Sequence, residues 1–162
     1  MFREMRRKRQ LLPEEETVAM LDSCTSGVLA MHGDDGYPYA VPLSFAYEDG
    51  KLFFHCATAG HKLDAIARDD KVSFCVIAAD DVVPSTFTTH FRSAVVFGRA
   101  RVLTDDAEKR HALECLAKKY SPDHLDAADA EIESDWKRVS VIELAVEHMT
   151  GKAALEIVKE HG

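Results

Sequence analysis

Apolar and polar positions divide the chain into short segments, most of them with the spacing of strands. Pro13 followed by Glu14, Glu15 and Glu16 has the chemistry of a helix's first turn, and Val18 and Leu21 supply one apolar face, so a helix is expected from Pro13 to near Cys24. Residues 27–31 form a compact apolar strand, and Gly33-Asp34-Asp35-Gly36 predicts a hairpin into a second strand over residues 37–47. That strand carries prolines at 38 and 42. Proline cannot donate to a ladder, so Pro42 implies an edge, a bulge or a break in pairing, with unpaired backbone beside Val41, Leu43 and Ser44 that a flat heterocycle could satisfy or that a bulged barrel strand could leave bare. Residues 52–55 give a third strand.

The second half continues the pattern. Residues 71–79 are nearly all apolar and predict a central strand buried on both faces; residues 80–90, with Pro84 and several Ser and Thr, predict a loop or an irregular strand. Residues 92–103 form another strand, with Gly98 marking a bend or bulge. Asp105 and Glu108 have the spacing of a capping box ahead of a helix whose face holds Leu113, Leu116, Ala117 and Tyr120, and Ser121-Pro122 stops it. A weaker acidic helix with Trp136 near its end leads to a last strand over residues 139–146, and the tail over residues 151–162 is expected to form a short helix. About six strands with few helices between them predict a mainly β, antiparallel barrel with peripheral helices.

Composition narrows the class. A chain of 162 residues with 46% hydrophobic content fits a single domain, residues 1–162. A formal charge of −8 argues against nucleic acid or an anionic membrane as partner, with the basic segment from Arg3 to Arg9 a local exception within an arm that either crosses a surface or frays into solvent. That segment is not backed by an apolar stretch, as a signal peptide would be, and no run reaches membrane-spanning length, so the expected location is the cytoplasm. Cys24, Cys56, Cys75 and Cys115 are scattered without a CxxC pair, which suits reduced, mostly buried thiols better than a disulfide framework or a zinc site.

The most chemically suggestive stretch is Lys51 to Lys62. It reads as strand, small-residue turn, helix: Leu52, Phe53 and Phe54 are apolar, Thr58 is a candidate cap, Gly60 frees the backbone, and Leu63, Ile66 and Ala67 recur at helical spacing to about Arg68. The first-turn amides and positive dipole end of such a helix suit a phosphate, Lys62 adds a full charge, and His55 faces the same place. An ordinary connection has the same local composition.

The order and spacing of these pieces resemble the pyridoxamine-phosphate-oxidase-like flavin-binding split barrels, and among them the nitroimidazole-resistance (Nim) type. The resemblance rests on Met5-Arg6-Arg7 with Gln10-Leu11, Gly27-Val28-Leu29-Ala30, Pro38-Tyr39-Ala40-Val41-Pro42-Leu43, Phe54-His55-Cys56-Ala57 with Gly60-His61-Lys62, Lys71-Val72-Ser73-Phe74, Arg92-Ser93-Ala94-Val95 with Gly98-Arg99-Ala100, and Thr150-Gly151-Lys152. It implies a homodimeric six-stranded split barrel with flavin mononucleotide (FMN) in two interfacial clefts, FAD or a deazaflavin being the alternatives. By the same resemblance, Val41, Pro42, Leu43 and Ser44 lie along the isoalloxazine ring, and His55, Ala57, His61 and Lys62 surround the ribityl phosphate. Arg92 faces the cleft from the partner subunit and Trp136 covers the ring.

The parent oxidases grip pyridoxal phosphate with an arginine and histidine pair in the C-terminal strand. Here that strand reads Val-Ile-Glu-Leu-Ala-Val-Glu-His, without the pair. The Nim-like pattern implies instead a reductase that takes hydride from NADH or NADPH and passes electrons to a small electron-poor acceptor such as a nitroaromatic. His55 is the first candidate for proton transfer, because imidazoles titrate near neutrality. Two other readings stand beside it: a metal or haem site built from His55, Cys56, His61 and His90, although these show no established ligand spacing, and a flavin-carrying stress or sensor protein without turnover.

Overall fold

A computed structural model describes residues 1–161. It contains strands β1 (Gly27–His32), β2 (Pro38–Leu43), β3 (Ala46–Glu48), β4 (Lys51–Cys56), β5 (Lys71–Val83), β6 (Thr88–Val102) and β7 (Ser140–Ala153), and helices α1 (Glu14–Ser23), α2 (His61–Arg68), α3 (Asp106–Tyr120), α4 (Leu125–Asp135) and α5 (Leu155–His161). The expected tail helix is α5; Gly162 lies outside the described residues. All strand pairs are antiparallel, in one sheet of order β2-β1-β5-β6-β7-β4-β3.

The sheet has seven strands where six were expected, because the segment over residues 37–47 is two strands and not one. It breaks at Ser44-Phe45, and its halves lie at opposite edges of the sheet. Leu43 and Ala46 are only three peptide steps apart, so their Cα atoms lie within about 11 Å. The sheet must therefore curl until its edges face each other, while no ladder joins them, giving an unclosed barrel. Inside sit Phe45, Phe54 and Phe74, all essentially buried, with Phe74 edge-on to the other two at centroid distances of 4.8 and 5.2 Å. Such contacts add about 1 kcal/mol each beyond area burial.

Pro42 lies on an edge strand, opposite Val28, as its missing N–H requires. Gly98 marks a register shift between β6 and β7, and a Cβ there would meet the Ala145 carbonyl oxygen at 2.1 Å. The predicted β1–β2 hairpin forms, its Gly33 N–H donating to the Tyr37 carbonyl.

Other expectations change. β5 is central, but only Val72, Phe74 and Val76 are buried, and Ile77 is 67% exposed on the opposite face. Residues 80–90 are mostly paired: β5 and β6 extend together beyond the barrel as a hairpin arm whose turn is confined to Pro84–Thr86 and Phe87. β7 runs on to Ala153 instead of stopping at residue 146, since β6 offers it a partner as far as Arg92. Asp105 caps α3 by accepting from the Ala107 N–H, but Glu108 turns to Arg101, so the capping box does not close. Pro13 stands one position ahead of α1, as its N-cap. The four cysteines are free, yet Cys115 is the buried one; Cys24, Cys56 and Cys75 are half-buried.

Candidate functional site

β4 and α2 do form the predicted strand-turn-helix, with a different cap. Gly60 occupies the N-cap with φ 146° and ψ 178°, a conformation essentially reserved for glycine, and no side chain caps the helix, so Thr58 does not serve. The amides at the start of α2 are left without a side-chain acceptor. His61 and Arg68 turn to Asp34, at 3.8 and 2.9 Å, which leaves Lys62 without a carboxylate partner among the described residues. The Lys62 charge does reach the Cys56 thiol, lowering its pKa against the stronger, raising effect of burial.

At the end of β4, three residues ahead of Gly60, opens a cleft of about 840 Å³, within the range of ligand pockets; no residue of α2 lines it. Ser44, His55, Cys56 and Ala57 line one wall, and apolar residues of α3 and α4, among them Leu116 and Ile132, line the other. His55 is exposed into it. At the other end of β2, Tyr39 stacks on His61 with ring centroids 3.9 Å apart. The free edge of β2, carrying Val41, Pro42 and Leu43, thus runs between the cleft and the helix start. His61 Nε2 is buried there with no hydrogen-bond partner.

Two predicted residues lie elsewhere in the chain. Arg92 sits at the base of the hairpin arm, 3.9 Å from Glu16, with a buried Nε that has no partner. Trp136 lines a separate hollow of about 670 Å³, where the Lys109 ammonium lies 4.5 Å from its ring centroid and donates to its carbonyl. The metal or haem grouping does not assemble: His55 and Cys56 share the cleft, His61 stacks on Tyr39, and His90 pairs with Asp81 out on the arm. Sequence reasoning missed the helical wall of the cleft. It also missed a cluster formed by Glu48 from β3 with His111 and Cys115 from α3, whose ligand atoms all lie within 4.8 Å of one another. The one local signal for that cluster is the four-residue spacing of His111 and Cys115, which places both on one helix face.

The family model for pyridoxamine 5'-phosphate oxidase matches residues 13–153. The chain belongs to the pyridoxamine 5'-phosphate oxidase family. Within that family fold it is similar to a proposed 5-nitroimidazole antibiotic resistance protein from Bacteroides thetaiotaomicron, at 24% identity and TM-score 0.72, covering 88% of this chain and 86% of that one. It is also similar to an FAD-binding protein from Mesorhizobium loti (26% identity, TM-score 0.63, covering 90% and 97%) and to an FAD and haem binding protein from Mycobacterium smegmatis (24%, 0.74, covering 95% and 80%). No curated protein sequence matches the chain. In β7, where the sequence lacks the expected arginine and histidine pair, Glu143 is buried against Arg101 and Lys51.

Proposed function

We propose that this chain is a flavin-dependent oxidoreductase that binds FMN and works as a homodimer, taking hydride from NADH or NADPH and reducing small electron-poor acceptors of the nitroaromatic type. The observation that carries the reading is the uncapped start of α2 beside Lys62, opening next to the cleft that holds His55 and Ser44. These residues fit a flavin phosphate: free amides, a glycine-only backbone turn and an unpaired ammonium converge on one short stretch. When bound, the flavin supplies hydride acceptance and electron donation. The chain's task is to fix it in place. Lys62 and the α2 amides hold the phosphate, the β2 edge from Val41 to Ser44 offers backbone groups to the ring, and His55 stands exposed in the cleft as the proton-exchanging group.

Support for a second copy comes from the sheet's outer face. Val28, Ile77 and Phe97 are 41, 67 and 39% exposed there, and the hairpin arm carries Val82 and Phe87 at 67 and 97%. Apolar surface of this kind on neighbouring strands supports an interface with a second copy. On this reading the second copy offers its Arg92 to the cleft, and Trp136 covers the ring. The FAD-binding relative and the 5-nitroimidazole resistance relative support a flavin and a nitro acceptor respectively. Among the described residues no helix is long and apolar enough to cross a membrane.

The test is an absorption spectrum of the purified protein with added FMN, FAD or deazaflavin, followed by anaerobic NADH or NADPH and then a nitroimidazole. FMN bands that bleach with nicotinamide and recover with the acceptor are expected. A flavin-loaded protein that stays oxidised makes it a carrier or sensor, and a protein that takes up none of the flavins refutes the cofactor assignment.

A further inference from the structure

We propose that Glu48, His111 and Cys115 form a zinc site, separate from the flavin cleft, that ties the edge strand β3 to α3. Each contributes a different ligand chemistry: a carboxylate, an imidazole and a thiol. His111 and Cys115 stand four residues apart on α3, and the fold brings Glu48 to them from the last position of β3. Cys115 Sγ lies 3.6 Å from His111 Nε2, while the two Glu48 oxygens lie 2.5 Å from that nitrogen and 3.0 Å from the sulfur.

The sulfur-to-nitrogen separation is the decisive one. A tetrahedral zinc with Zn–S about 2.3 Å and Zn–N about 2.05 Å needs these two atoms about 3.6 Å apart, as they already stand. The two contacts to Glu48 are hydrogen bonds in the metal-free site, with the thiol donating to the carboxylate. An inserted ion asks Glu48 to move outwards by about 1 Å at most to restore tetrahedral edges. Nothing resists that: β3 is three residues long and forms the sheet edge, and the Glu48 side chain is 43% exposed. Zinc replaces the thiol proton, which leaves to solvent, so a hydrogen-bonded cluster becomes a coordinated one with the same three side chains. The fourth position opens to water on the side where His111 is 53% exposed. Thiolate with imidazole favours zinc over magnesium or calcium, which prefer all-oxygen sets. Lys118 bears on both Glu48 and Cys115, but its side chain is exposed and its charge is screened.

Titration of the metal-free, full-length protein with Co²⁺ tests the site directly. The expected result is the visible bands of tetrahedral cobalt together with a sulfur-to-cobalt charge-transfer band, saturating at one ion per chain and displaced by Zn²⁺. Cys115→Ser should abolish the charge-transfer band. Glu48→Gln and His111→Gln, at a half-buried and an exposed position that keep the fold if the buried Cys115→Ser does not, should weaken Zn²⁺ binding by about tenfold or more, a loss seen even when outer-shell partners of metal sites are removed. Cys56→Ser should bind as the parent does. Bands that persist in every folded variant, or that depend on Cys24, Cys56 or Cys75 instead, overturn the assignment. So does a protein that shows no cobalt bands and retains no zinc through gel filtration.

Discussion

The hydroxyl oxygen of Tyr120 accepts the Phe45 N–H at 2.8 Å, joining the last residue of α3 to the two-residue bridge between the sheet's opposite edges. The same hydroxyl lies 2.6 Å from the Thr25 carbonyl and 3.1 Å from that of Phe45, and donates its one proton among them. Phe45 has left both ladders, so Tyr120 replaces the partner a strand would have given it. Lys119 adds its ammonium 3.7 Å from the centroid of the Phe45 ring while donating to the Leu21 carbonyl. Tyr120→Phe leaves the amide unpaired and should cost about 1–3 kcal/mol of stability, read from urea denaturation midpoints at unchanged slope. An unshifted midpoint would show that water replaces the hydroxyl at no cost.

Lys62→Ala removes the one full charge at the start of α2 that no carboxylate neutralises. Charge-assisted bonds are worth about 1.5–3 kcal/mol, so FMN affinity should fall by about 10- to 100-fold. Riboflavin, which lacks the phosphate, should bind both proteins alike. Equal losses for the two ligands would place Lys62 against the ring and not the phosphate.

Gly60→Ala addresses the same turn through the backbone. A Cβ there meets nothing within 4 Å, so any penalty comes from φ 146° itself. The expected cost is about 1–3 kcal/mol, or else a refolded turn that no longer presents its amides. Fluorescence titration with FMN, alongside thermal melting, separates the two.

The Cys56 thiol is pushed above its ordinary 9.0, chiefly by burial, with the Lys62 charge opposing the shift. A raised thiol pKa means the protonated form is the one the fold favours. Its contribution to stability is therefore complete below pH 9 and is lost as pH climbs through the higher folded value. Alkylation of Cys56 should be slow at neutral pH and accelerate above pH 9, and bound FMN should shield it. Lys62→Ala removes the opposing charge, so alkylation at a given pH should slow further; acceleration in that variant would contradict the placement of Lys62 beside the cleft.

Ile77→Asp puts a charge in the middle of the exposed apolar face of the sheet. Light scattering coupled to gel filtration should show a dimer in the parent and a monomer in the variant, with FMN binding lost at the same time. A monomeric parent would remove the homodimer from the proposal.

Much of this fold could be read from local pattern because the governing forces are local. The hairpin at Gly33–Gly36, the bulge at Gly98 and the turn at Gly60 each follow from what glycine or proline permits within a few residues. The break at Ser44-Phe45 could not be read that way. Its residues look like a strand, and only the distant Tyr120 and Lys119 make the crossover affordable. Thr58 likewise has the chemistry of a cap, but Gly60 at φ 146° starts the helix two residues later. The outer face of β5 reads as core because apolar composition does not reveal which neighbour covers it. Glu48, His111 and Cys115 escaped notice for a related reason: 63 residues separate the first two, and only tertiary packing brings them together.

The way the sheet ends also bears on how the protein behaves in a crowded solution. Open strand edges invite other chains to add to the ladder, and runaway addition leads to fibres. Here one edge strand carries two prolines, at 38 and 42, and the other is three residues long. Neither offers an unbroken row of amides to an incoming strand. The two strands that border the barrel's seam can thus leave it open without the self-templating hazard that long unprotected edge strands carry.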